Sequence, residues 1–125
     1  MIERIVIPPY DEYDLSTFTI KDELVQIGHF GGTINEQGEI LQTIEEQLDQ
    51  TLKNLNEALN EIDLNLDNVL KLTVILKNIE DFTGMHRVWI KHFNEGQYPV
   101  RAVITSDFVS KNCLVQVEGT AAYNQ

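Results

Sequence analysis

"TIEEQLDQTLKNLNEALNEI", residues 43–62, is the most regular stretch of the chain, and its reading decides the fold class. Its apolar residues are Ile44, Leu48, Leu52, Leu55, Leu59 and Ile62, spaced four, four, three, four and three. That is the period of an α-helix with one apolar stripe. Thr43 and Glu46 form a capping box, in which the hydroxyl and the carboxylate each satisfy a free amide at the helix start. Glu45, Glu46, Asp49, Glu57 and Glu61 make a solvated face. The apolar stripe must lie on something apolar.

Working outward, that surface is a sheet. "NVLKLTVILKN" (68–78) is β-branched and nearly continuous, which predicts a strand covered on both faces. Upstream, "MIERIVI" predicts a first strand ended by Pro8-Pro9, and 16–20 with 23–28 predict a hairpin around Lys21-Asp22. Downstream, Asp81 predicts the cap of a second helix lined by Phe82, Met85, Trp89 and Phe93 and ended by Gly96 and Pro99. "YPVRAVITSDF" (98–108) and "CLVQVEGTAA" (113–122) read as two final strands, the first of them buried. The order predicts an α+β sandwich with two helices on one face of a mixed sheet. No repeat or linker divides the chain, so a single domain over residues 1–125 is expected. The uncovered sheet face is left apolar or half-apolar, which predicts a homo-oligomer.

Nine basic against twenty acidic residues give a formal charge of −11. A field of that sign opposes binding to nucleic acid and to anionic membranes. Cys113 is the single cysteine and cannot form an internal disulfide, which favours a reducing compartment; its apolar setting predicts a structural core thiol. No run reaches the ~18 apolar residues that span a bilayer. A cytoplasmic protein is expected.

Few residues carry chemistry. His29, His86 and His92 match no common zinc spacing, so no metal is expected. "GHFGGTINEQGE" (28–39) lacks both the dinucleotide and the Walker patterns; its glycines suit turns or a close backbone approach to a small ligand. Nothing resembles a Ser-His-Asp or Cys-His arrangement. Arg101 and Glu118 remain, each inside a strand-like run. They read either as a buried salt bridge or as a site. A guanidinium holds a carboxylate through two parallel N–H donors, and a carboxylate orients and deprotonates water. Together they describe a pocket for a small organic acid attacked by water.

Over about residues 22–122 the chain resembles the RidA/YjgF family of enamine/imine deaminases. The resemblance is carried by "ELVQIGHFG", "QGEILQTIEEQLDQTLKNLNEAL" and "DNVLKLTVILKNIEDFTGMHRVWIKHF", and most specifically by the arginine and "VEGTA" positions of "YPVRAVITSDFVSKNCLVQVEGTA". It implies a chorismate-mutase-like sandwich, a mainly antiparallel sheet and a homotrimer with ligand clefts between subunits. It also implies hydrolysis of 2-imino acids (2-iminobutanoate, 2-iminopropanoate) to 2-keto acids and ammonia, with no cofactor and no metal. By the same resemblance Arg101 grips the substrate carboxylate, Glu118 positions the attacking water, and Gly28 and the backbone around Val103 line the cleft. Three positions depart from the family: Ile27 replaces a serine of the pocket, His29 a glutamine, and His86 an asparagine on the second helix. His86 is taken as a substrate contact. "PYDEYDLSTF" does not match the family cleanly; Tyr13 is assigned as the cleft aromatic, with Phe18 its rival. The alternative function is a non-catalytic, small-carboxylate-binding regulatory trimer.

Overall fold

Six strands form one sheet, and both helices lie on the same face of it. The structure is a computed structural model that describes residues 1–124; Gln125, the last residue of the expected domain, lies outside the described residues. The strands are β1 (Glu3–Ile5), β2 (Phe18–Lys21), β3 (Leu24–Gly31), β4 (Val69–Leu76), β5 (Val100–Thr105) and β6 (Val115–Ala122), and the helices are α1 (Ile44–Asn60) and α2 (Phe82–Trp89). Across the sheet the order is β1-β2-β3-β6-β4-β5. Every neighbouring pair is antiparallel except β4 and β5, which run parallel. A parallel pair needs a crossover, and α2 supplies it. The expected α+β layering is therefore observed. Among the described residues no helix is long and apolar enough to cross a membrane.

α1 forms as its pattern dictates. Thr43 Oγ1 accepts from the Glu46 amide at 3.1 Å, and Glu46 Oε1 accepts from the Thr43 amide at 3.3 Å. Leu48, Leu52, Leu55 and Leu59 are fully buried against Leu72, Val74, Leu76, Val115 and Val117 of the sheet. Three polar residues of α1 are buried as well: Gln47, Gln50 and Thr51. Gln47 joins the helix to the segment before β6, donating to Leu41 O and Asn112 O and accepting from the Leu114 amide, all within 3.0 Å. Gly32 permits the chain leaving β3 to lie on this helix, since a Cβ there would come within 2.8 Å of Gln47 O. The close approach made by this glycine is to α1, not to a ligand.

Four expectations from the sequence are corrected. Asp81 makes no side-chain cap of α2; a 3₁₀ turn over Ile79–Asp81 feeds the helix instead. Within the predicted apolar stripe Met85, Trp89 and Phe93 are buried, but Phe82 is half-exposed and Phe93 lies beyond the helix end. β5 is not buried: it is the last strand of the sheet, with Val100 65% and Ile104 50% exposed. β4 likewise has helices on one face only, and Leu70 and Lys71 are exposed. An apolar run identifies a strand but cannot say whether a helix lies over each face.

β6 crosses the middle of the sheet, between β3 and β4. At Gly119 a Cβ would collide with the carbonyl oxygen of Lys71 in β4. Glycine allows this close approach of two backbones, so Gly119→Ala must separate β4 from β6. The expected loss is about 2 kcal/mol or more of stability, measured by urea denaturation. A midpoint equal to wild type would show that the contact is relaxed without cost.

Candidate functional site

Side chains alternate across a strand, so register decides which residues share a face. Arg101 pairs with Leu72 and Val103 with Val74, and both partners are buried under the helices. Arg101 and Val103 therefore lie on the helix face of β5. Glu118 pairs with Thr73, on the opposite side of β4, and its neighbours Val117 and Gly119 face the helices. Glu118 thus lies on the open face. Within one chain these two charged residues are separated by the sheet, and they form no salt bridge.

On the helix face, Arg101 reaches beneath α2. Its guanidinium carbon lies 5.4 Å from the Phe82 ring centroid and 5.1 Å from that of Trp89, within cation–π range. Nη1 is 3.1 Å from His86 Nδ1. Burial lowers the arginine's pKa from its ordinary value, but a guanidinium remains charged in proteins. A cavity of about 420 Å³ opens here, lined by His86, Trp89, Ile90, Tyr98, Pro99 and Arg101. The Ser106 amide donates to Leu76 O. By strand alternation the amides of Arg101, Val103 and Thr105 then point away from β4, to the free edge of the sheet. Val103 itself packs its side chain on the core.

On the open face, β3 bulges. Ile27 pairs with Gly119 and Phe30 with Val117, so Gly28 and His29 together stand opposite Glu118 alone. Such a bulge re-aims the strand and releases backbone from the ladder. The Gly28 amide accordingly donates to Thr17 O, at 3.1 Å, rather than to β6. Glu118 is half-buried and, among the described residues, has no hydrogen bond or ion pair through its side chain. Beside it a cavity of about 590 Å³ is lined by Tyr10, Tyr13, Ser16, Gly28, His29 and Gln116, among others. Tyr13 is 81% exposed and belongs to this cavity, whereas its rival Phe18 is in the core.

The residues expected to form a site thus fall into two groups: Arg101, His86 and Val103 on one face, and Glu118, Gly28 and Tyr13 on or beside the other. Ile27 joins neither, being a core residue at 4% exposure, so it removes nothing from a pocket. Trp89 and Tyr98 of the cavity wall, and Phe82 against the Arg101 guanidinium, are the residues that sequence reasoning missed; Phe82, His86 and Trp89, spaced four and three, were a legible stripe. His92 pairs with Asp49 at 2.8 Å, and among the described residues no group of three ligands could hold a metal. Cys113 is 3% exposed, and burial pushes its thiol pKa up. Ellman's reagent should therefore leave the native protein unlabelled and titrate one thiol per chain in urea. Rapid labelling of the native protein would contradict this placement.

The family model described as "Endoribonuclease L-PSP" matches residues 9–123. A Lactococcus lactis protein named as a candidate regulator, AldR, is 37% identical over 82 residues, 65% of this chain and 64% of that protein. Human 2-iminobutanoate/2-iminopropanoate deaminase is 30% identical over 78 residues, 62% of this chain and 56% of the human one. The alignments thus span less than two thirds of either relative. Among solved structures, an Entamoeba histolytica protein described as an endoribonuclease L-PSP superposes with a TM-score of 0.85 at 28% identity, covering 98% of this chain and 100% of that one.

Proposed function

The chain belongs to the endoribonuclease L-PSP family, also called RidA or YjgF, and from this premise we propose that it is an enamine/imine deaminase acting on small 2-imino acids. The observation that favours this reading is the presence of two incomplete half-sites on opposite faces of the sheet. Arg101 offers a guanidinium held on aromatic rings, with free backbone amides along the same edge. Glu118 offers a half-buried carboxylate with no partner among the described residues, opposite a bulge. In the proposed homotrimer the β5 edge of one copy meets the open face of the next, and one cleft receives both groups. The exposed Val100 and Ile104 are covered by the same contact, as an apolar sheet edge requires. The human relative, named a 2-iminobutanoate/2-iminopropanoate deaminase, agrees with this chemistry.

The proposed reaction proceeds in two steps. Arg101 holds the substrate carboxylate bidentately. Glu118 takes a proton from water as the water oxygen bonds to C2, the C=N electron pair moves to nitrogen, and Glu118 passes that proton on to the nitrogen, which regenerates the carboxylate. The carbinolamine then collapses. Its hydroxyl proton passes through Glu118 to nitrogen, the C2–N bond breaks, and the carbonyl forms. One water is consumed, and one 2-keto acid and one ammonia are released.

The Lactococcus relative's name favours a second reading, a regulatory trimer that binds small carboxylates without turnover. Cleavage of RNA is disfavoured by the charge of −11, which repels a phosphate backbone. The enzyme reading is tested by generating 2-imino acids with an L-amino acid oxidase and trapping the surviving imine with semicarbazide. Wild type should lower semicarbazone formation, Glu118→Gln should reduce that activity about 10²-fold or more, and Arg101→Ala should chiefly raise KM. Wild type without effect across the amino-acid series, yet still binding 2-oxobutanoate, would favour the regulatory trimer.

A further inference from the structure

Three side chains on one stripe of α2 hold the single guanidinium of Arg101. Phe82 and Trp89 lie beneath it, and His86 meets it at 3.1 Å through Nδ1. Arginine has donors and no acceptor, so Nδ1 must be unprotonated and must accept. The proton of the neutral imidazole is then on Nε2, and an imidazolium could not make this bond. The imidazole is itself fixed, stacking on Phe82 at an interplanar angle of 3° and a centroid distance of 6.2 Å. The two kinds of contact do different work. A cation over a ring is attracted by the ring's quadrupole, which leaves the fork free to turn in its own plane. A hydrogen bond to one Nη sets that rotation.

We propose that His86 is the positioning residue of this site: its Nδ1 fixes the rotation of the Arg101 fork, so that the remaining N–H edge faces the cavity and meets a carboxylate bidentately. The inference rests on the anchoring role of Arg101 proposed above. It adds that His86 acts through the arginine rather than on the substrate. An acceptor at the position of Nδ1 is what the site requires. Asparagine supplies one, because its Oδ1 occupies the corresponding place on the side chain; phenylalanine keeps the ring and its stacking and supplies none.

The test compares wild type, His86→Asn and His86→Phe. His86 is on the surface of α2, so all three are expected to fold. With only Arg4, Arg87 and Arg101 in the chain, arginine side-chain NMR can be assigned by the signal lost in Arg101→Ala. The expected result is slow guanidinium rotation for Arg101 in wild type and in His86→Asn, and faster rotation in His86→Phe. Calorimetry with 2-oxobutanoate should give His86→Phe roughly three- to tenfold weaker binding, with His86→Asn recovering most of it. Equal rotation in all three proteins, or equal affinity in all three, would overturn the positioning role. If wild type bound no 2-oxobutanoate, the anchoring reading would fail instead, while guanidinium rotation would still decide whether His86 fixes the arginine.

Discussion

The alternation of side chains across β4, β5 and β6 is the constraint on which the account depends. It puts Arg101 on the helix face with Leu72 and Glu118 on the open face with Thr73. A sheet lies between them, and no small molecule touches both in one chain. Either the two charges are unrelated, or a second copy brings them together. The proposed trimer takes the second course, and it also gives the exposed apolar residues of β5 something to cover them. The acidic surface does not lie in this cavity, whose lining holds Arg101 and no carboxylate. What draws an anion is the field at the site more than the net charge.

The neighbours of Arg101 explain how the fold tolerates it. A buried guanidinium is costly unless its donors and its charge are met. Two aromatic faces and one imidazole nitrogen meet part of that need and leave the remaining donors open. Glu118 is the complement, a half-buried carboxylate whose oxygens have no partner among the described residues. The buried ion pair that the sequence also permitted would have satisfied both groups and left no site.

How much of this was legible can be traced to particular residues. α1 was plain from its leucine spacing and capping box, and the strand–helix order followed, because local periodicity is written in the chain. Gln47, Gln50 and Thr51 were not recognised as buried, since a polar residue reads as surface until its partners are known. The face of each strand residue was the larger gap. Ile27 and Phe30 both enter the core although they are three apart, which strict alternation forbids and the bulge at Gly28–His29 allows. Without that bulge Ile27 is easily misread as part of the pocket. The aromatic bed of Arg101 was missed because Phe82 and Trp89 were assigned to the core, and only β5 at the sheet edge shows what lies against them.

Subunit mixing tests the central claim most directly, that each site draws Arg101 from one copy and Glu118 from another. Arg101→Ala and Glu118→Gln proteins, each far less active than wild type at low imine concentration, are unfolded together and refolded as a mixture. An Arg101→Ala chain still carries Glu118, and a Glu118→Gln chain still carries Arg101. In randomly mixed trimers about a quarter of the interfaces should therefore combine both intact residues, and imine hydrolysis should return to about that fraction of wild type. A mixture no more active than its two components would contradict a shared site.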